Sequence, residues 1–522
     1  MTARATQALR TPQGIVFGLV LVFLAISAWW LTRDLRIVNV DSAKHVNIAL
    51  QWNRAMSGGD LLEPLRTYNV YPPGTHIIGA LGTFLFGFDV PATVMAENLV
   101  FVPLLALGCY GTGTIVFGRL AGALAAGFAL SVPLVMAMFH QFQPDAPMAA
   151  MVALAVWLLL ASDRFARIGV AAAAGVALGL GMYTKGTFAL FVVGILAMLV
   201  LRGGWRNVKG VVACGAIAGV FALPYYIDQF SSIRGQAEGF ATGPLPVWYG
   251  SVGFPTRDSA ANYTWYFWNL VNNQLYLPLA LFFFTGVGWA VWRIVRSRSE
   301  RAGYLPELLV GGLVGYLAIS MLVLKDARYT LPCLVYVAVI STAWITSLRG
   351  RARSVAIGAL IAVGVVNTVS HNLSIGGDHS ISLPMAVDSP IGEYKFRLIN
   401  ENGFFTAAPS REAEPIVEML DGLAGEGVPR VVFDQGTFST GGYHLTGIAL
   451  LALQTDASVP GFTTDLVTDR RTAWVVRSDV AAVGREPCFM SPLAPDGSGI
   501  YVYRGEVPKN LAKVGIDCPQ RR

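Results

Sequence analysis

The sequence predicts a polytopic α-helical membrane protein with a small soluble α/β domain at its C-terminal end. Three observations point there. Of 522 residues, 54% are hydrophobic and 13% charged, against about 25% charged in a soluble domain. The charge is unevenly placed: residues 1–370 are apolar runs with short charged gaps, and residues 372–522 have the mixed composition of a soluble domain. Basic residues recur at alternate gaps, the pattern of loops that stay on the cytoplasmic side. The net charge of +6 therefore reflects orientation and gives no nucleic-acid signal.

A membrane helix needs about 20 mostly apolar residues, and about eleven segments approach that requirement. They are 14–32, 93–117, 120–140, 147–161, 168–184, 186–201, 209–227, 276–294, 307–324, 329–348 and 354–371. The first follows Arg4 and Arg10, is too long for a signal-peptide core and has no small-residue cleavage site after it, so it reads as a retained helix. Residues 74–88 are apolar but bounded by Pro72-Pro73 and Asp89, and read as lying in or dipping into the interface. One set of ends carries Arg119, Arg164/Arg167, Arg202/Arg206/Lys209, Arg293/Arg296/Arg298/Arg301 and Arg349/Arg351/Arg353. That set belongs in the cytoplasm with the N-terminus. The first outer loop (33–92) and the C-terminal part then face the opposite side. Gly175 and Gly179 suit close helix packing. Abundant Ala, Gly, Val and Arg suit a high-GC bacterium, and the expected location is the inner (plasma) membrane.

The expected division is a membrane domain over 1–371 and an extracytoplasmic domain over 372–522. In the latter, Pro415–Gly427 has helical spacing and ends in glycine, while Arg430–Phe433, Thr472–Val476 and Gly499–Tyr503 read as strands. Cys109, Cys214 and Cys333 fall in apolar runs. Cys488 and Cys518 lie in the polar part and are expected to pair if it faces an oxidising compartment. No His/Cys cluster suggests a structural metal.

The informative residues are polar groups on the outer face. The first outer loop holds Asp41, Ser42, Lys44 and His45; the second, His140 to Pro147, holds Asp145; the third holds Lys185; the fifth runs Lys325-Asp326-Ala327-Arg328-Tyr329. Carboxylates and cations thus converge on one side. A phosphate leaving group needs Lys or Arg to stabilise its developing charge, and an acceptor hydroxyl needs a carboxylate base. Asp41 and Asp145 are candidates for the base, Lys185 and Arg328 for the anion, and Lys44, His45 and Tyr329 for support. Each has a plainer reading. An Asp at a helix end serves as a cap, Lys185 snorkels, and Arg328 pairs with Asp326. His45 and His140 read as local hydrogen-bond partners in preference to metal ligands. The aromatic run Tyr263–Trp268 reads as an interfacial belt or amphipathic helix.

These residues carry a resemblance. Asp41-Ser42 after the first span, the juxtamembrane helix Ala43–Met56, Tyr71-Pro72-Pro73-Gly74, Asp145-Ala146-Pro147, Gly179 to Gly186 and Arg328-Tyr329-Thr330-Leu331-Pro332 stand in order over residues 14–370. In this the chain resembles the GT-C superfamily of polyprenyl-phosphate-sugar glycosyltransferases, nearest the protein O-mannosyltransferase and aminoarabinose-transferase type. Two departures stand out: Asp-Ser replaces the usual Asp-Glu, and Tyr71 stands where some relatives place a phosphate-contacting lysine. The resemblance implies inverting transfer of a sugar from a polyprenyl-phosphate donor to a hydroxyl on the extracytoplasmic face. It implies no required cofactor, with a divalent cation as the less favoured option. Protein, lipid and cell-wall glycan acceptors all remain open, within a setting of membrane lipids. The rivals are a lipid-linked oligosaccharide transferase or ligase of the same fold, and a transporter. Transporters place their charges within broken helices near the midplane, whereas here the charges cluster at helix ends on one face.

Overall fold

The computed structural model describes residues 11–36, 38–66, 71–87, 89–242, 259–296, 303–322, 325–373, 381–389 and 392–399, and short pieces beyond. The chain divides into two compact units. The first comprises Met1–Ala28, Ala55–Ile78 and Met95–Ala408; the second comprises Trp29–Arg54, Gly79–Val94 and Pro409–Arg522.

Among the described residues, six helices are long and apolar enough to cross a membrane: Pro12–Leu31, Val90–Phe117, Val208–Asp228, Ala260–Arg296, Ala327–Ser347 and Gly350–Leu373. The other expected spans form apolar helices of 12–17 residues, among them α8 (Asp145–Ala161), α9 (Ile168–Met182), α10 (Phe188–Leu201) and α15 (Leu305–Ser320). The apolar segment at 74–88 is a helix, Gly74–Phe86; its 13 residues span about 20 Å, short of the roughly 30 Å hydrocarbon core.

One expected span is corrected. Residues 120–140 are not a single helix but two, Arg119–Leu130 and Pro133–Met138. Pro133 has no N–H to continue the ladder and pushes the residue before it out of the helical region. Val132 is accordingly extended, at φ −71° and ψ 123°.

Within the first unit, glycines let helix backbones touch. A Cβ on Gly175 of α9 would lie 2.4 Å from the Cys214 carbonyl oxygen, and one on Gly108 would lie 2.4 Å from the Ala153 carbonyl carbon. Gly194 of α10 faces Val314 of α15 in the same way. Without water to drive helices together, such backbone approach supplies the packing energy in lipid. On the side where the sequence puts the basic loops, the fully buried Glu307 bridges Arg164 (3.1 Å) and Arg202 (2.6 Å), tying three loops together. The aromatic run is helix α13 (Ala260–Asn269): Trp265 and Tyr266 are buried, Tyr263 and Phe267 exposed. It continues through a π-helical turn, Leu270–Leu275, into α14 (Tyr276–Arg296). After α17 (Gly350–Leu373), β1 (Ile381–Ser389) and β2 (Gly392–Ile399) pair antiparallel.

In the second unit, helix α2 (Val40–Ser57) begins at Asn39, whose side-chain oxygen accepts from the Ser42 N–H at 2.9 Å. This is the N-cap geometry that ends a chain's approach and starts a helix. Asn53 donates to the Ala80 carbonyl. The described C-terminal strands form a mixed sheet in the order β4 (Gly461–Thr463), β3 (Arg430–Phe433), β5 (Ala473–Arg477), β7 (Ile500–Arg504), β6 (Phe489–Met490). The β3–β5 pair is parallel and β5–β7 antiparallel. All three expected strands are present, within one residue at each end. The helix expected over 415–427 lies largely outside the described residues, as do Cys488 and Cys518 with their expected disulfide. Cys109, Cys214 and Cys333 are buried free thiols.

Candidate functional site

Three loops of the first unit meet around Asp145. The loop before α8 is six residues from Phe139 to Pro144, and it leaves Asp145 in the first turn of the helix, where the helix dipole favours an anion. The loop between α9 and α10 brings in Lys185. Thr184 closes the preceding helix by donating to the Gly181 carbonyl at 2.6 Å. The loop after α15 brings in Arg328, which opens the 3-10 segment Ala327–Cys333 under an Asp326 cap; the Arg328 N–H donates to Asp326 Oδ1 at 3.0 Å.

Lys185 Nζ donates to Asp145 Oδ1 at 2.8 Å, with the Asp145 side chain 2% exposed and that of Lys185 12%. The ammonium also lies 4.9 Å from the Tyr329 ring centroid and 5.8 Å from that of Tyr71, within cation–π range. The Arg328 guanidinium donates to Asp326 Oδ2 at 2.6 Å and to Gln143 Oε1. Gln143 in turn donates to Gln141 at 3.1 Å. Burial works against the Asp145 carboxylate, but the Lys185 and Arg328 charges outweigh it and hold its carboxyl below the ordinary range. The carboxylate is therefore ionised at neutral pH and suited to orienting a cation. Lys185 carries three N–H donors and uses one on Asp145. The remaining donors, beside the positive charge of the Arg328 guanidinium, suit a phosphate. Lys325 is differently placed: it donates to the Ser320 carbonyl at 2.8 Å, sits 4.9 Å from the Tyr266 ring centroid, and is pushed down to about 8 by burial.

Tyr71-Pro72-Pro73-Gly74 is docked on the Lys185 loop. The Gly74 N–H donates to the Tyr183 carbonyl at 2.8 Å, and a Cβ on Gly74 would lie 2.7 Å from that same oxygen. Only glycine allows this approach, and it seats Tyr71 against Lys185.

The structure thus brings together Asp145, Lys185, Arg328 and Tyr329. Asp41, Lys44 and His45 belong to the second unit, on helix α2, where Asp41 and Lys44 are exposed and His45 is buried. His140 is buried and stacks on His371, ring centroids 6.5 Å apart. Among the described residues, no three His, Cys, Asp or Glu side chains gather as a metal site. Sequence reasoning passed over Gln143 and Glu97. Gln143 is a neutral amide in a short loop, with no pattern to single it out. Glu97 carried a signal: an acid inside the apolar helix Val90–Phe117 is a functional candidate by default. It is fully buried beside the Gln143 backbone and, among the described residues, accepts no hydrogen bond of ordinary geometry at either carboxylate oxygen.

Residues 70–227 match the family of dolichyl-phosphate-mannose-protein mannosyltransferases. That stretch includes Tyr71, Asp145 and Lys185 and stops before Arg328. No curated protein sequence matches the chain. Among solved structures, ArnT from Cupriavidus metallidurans bound to undecaprenyl phosphate aligns over 95% of this chain and 99% of its own, at 13% identity and a TM-score of 0.54. The same protein in its apo state aligns over 68% of this chain and 65% of its own, at 18% identity and a TM-score of 0.44. The S. cerevisiae Pmt1–Pmt2 complex bound to its sugar donor aligns over 44% of this chain and 36% of its own, at 17% identity and a TM-score of 0.34. Of these, the full-length alignment at 0.54 is the one that shows the fold. The chain thus shares the fold of this Cupriavidus metallidurans protein, and residues 70–227, under a third of its length, resemble the dolichyl-phosphate-mannose-protein mannosyltransferase family.

Proposed function

We propose that this protein transfers a sugar from a polyprenyl-phosphate donor to an acceptor hydroxyl at the extracytoplasmic face of the plasma membrane. Its N-terminus is cytoplasmic, and residues 372–522 lie on the extracytoplasmic side. The observation that carries the reading is the meeting of Lys185 and Arg328 around Asp145, from three separate loops, at one end of the helices. Two cations flanked by a buried carboxylate suit a singly charged phosphodiester, whose charge grows as the sugar departs. In this reaction the acceptor oxygen attacks the anomeric carbon directly. The bond from that carbon to the phosphate oxygen breaks, and its electron pair leaves on polyprenyl phosphate, held by Lys185 and Arg328. The configuration inverts. Asp145 orients Lys185, and Tyr71 and Tyr329 flank the ammonium. The proton of the acceptor passes to Asp41, a role proposed from its place in the sequence, directly after the first span. No cofactor takes part in these steps.

The test uses the full chain in lipid nanodiscs, supplied in turn with undecaprenyl-phosphate-linked mannose, arabinose and aminoarabinose and with membranes as acceptor. Release of undecaprenyl phosphate is followed. One donor is expected to turn over, and Asp41→Asn is expected to slow it by about 10²–10⁴, the size of a general-base contribution, with donor binding held within a few-fold. Parental turnover in Asp41→Asn removes that residue from the mechanism, and absence of release from all three donors overturns the donor class.

A further inference from the structure

The π-helical turn between α13 and α14 is the least expected feature of the first unit. A π turn is rare, and where it occurs it frequently marks a functional site. Here it gathers buried amides against the loop that carries Arg328. Asn269 is fully buried and Gln274 is 4% exposed. Buried amides require partners, and both donate to a single acceptor, the Ala327 carbonyl, at 3.3 and 2.6 Å. Gln274 also donates to Thr330 Oγ1. The peptide group entering Arg328 is therefore held on its carbonyl side by two donors, and on its N–H side by Asp326 Oδ1 at 3.0 Å.

The set continues outward. Asn269 accepts from Asn273 Nδ2 at 2.7 Å, and Asn273 Oδ1 accepts from the Arg397 guanidinium on β2 at 2.9 Å. A continuous hydrogen-bonded path thus runs from the β1–β2 hairpin through Asn273 and Asn269 to the backbone of Arg328. Such a path fixes an arginine that must meet its ligand within a fraction of an ångström.

We propose that Asn269 and Gln274 are positioning residues that fix Arg328 through the Ala327 carbonyl, and that Arg397 anchors them from the hairpin through Asn273. The inference rests on the reading of Arg328 as a phosphate ligand. Its test is a double-mutant cycle on the full chain in nanodiscs, with undecaprenyl phosphate as the binding probe. Gln274→Met keeps the volume and removes the donor; Arg397→Ala removes the outer anchor from a partly exposed position; Arg397→Lys keeps the charge. In the parent, Gln274→Met and Arg397→Ala are each expected to weaken binding about tenfold, the effect of misaligning a charge-assisted hydrogen bond to the ligand. Arg397→Lys should recover to within about threefold. In the Arg328→Ala background the same changes should cost less than about twofold, because residues acting through one group do not add. Equal losses in both backgrounds, or parental binding in both Gln274→Met and Arg397→Ala, overturn the inference and leave Arg328 in its role. Parental binding in Arg328→Ala removes the role of Arg328 itself, and the inference with it. If Gln274→Met fails to give monodisperse protein, the Arg397 pair decides by the same criteria.

Discussion

Replacing Lys185 by methionine separates what that residue does for stability from what it does for the donor. Lys185→Met keeps the stem and deletes the charge. In the parent, the ammonium sits 2.8 Å from an Asp145 carboxylate that is 2% exposed. At that distance and an effective dielectric constant of about 20, the gross attraction is about 6 kcal/mol, much of it offset by desolvation. Removing one partner of a buried pair leaves a stranded charge and costs about 3–5 kcal/mol. Lys185→Met should therefore lower the Tm, and Asp145→Asn/Lys185→Met should recover most of the loss, since no stranded carboxylate remains. Donor affinity follows a different course. A charge-assisted hydrogen bond to phosphate contributes about 1.5–3 kcal/mol, one to two decades in Kd, and the double variant cannot restore it. Thermal unfolding in nanodiscs and undecaprenyl phosphate binding, measured on the same preparations, give both quantities. A double variant that binds like the parent would refute the phosphate role of Lys185. An unchanged Tm in the single variant would refute the buried pair.

Asp145 also sets a pH dependence. Its folded carboxyl lies below the ordinary value, so the pair's contribution is fully present above about pH 4 and is lost only as pH falls through that lowered value; the Tm difference between parent and Asp145→Asn should hold from pH 8 to 5 and shrink on stronger acidification, and a difference that fades between pH 7 and 5 would contradict it. Gly74→Ala puts a Cβ 2.7 Å from the Tyr183 carbonyl oxygen, so it should displace the Tyr71–Gly74 turn and weaken undecaprenyl phosphate binding at least about threefold; parental binding would show that the turn is dispensable. Orientation is checked with single cysteines in a chain whose own cysteines are replaced: an impermeant thiol reagent added outside should label Ser57→Cys and miss Ser347→Cys, both exposed positions, and the reverse pattern would invert every loop assignment.

Sequence alone determined the membrane class, the order of the helices and the residue types at their ends. The reason is local: burying an unpaired polar group in lipid is costly enough to leave long apolar runs, and loop charge sets their direction. Pro133 and the β3 strand were also decided locally, the first breaking a helix that hydropathy alone runs together. Only the tertiary structure decided partnership. The Arg328–Asp326 pair was legible within its own loop, but nothing in the spacing says that Asp145 and Lys185 form an ion pair or that Arg328 also reaches Gln143, because those choices depend on which helices pack side by side. Gly74 reads in sequence as part of a rigid proline turn, and only packing shows that its missing Cβ makes room for Tyr183. The π turn at Leu270–Leu275 is likewise invisible to periodicity, since its extra residue is stabilised by the Ala327 carbonyl, more than fifty residues along the chain.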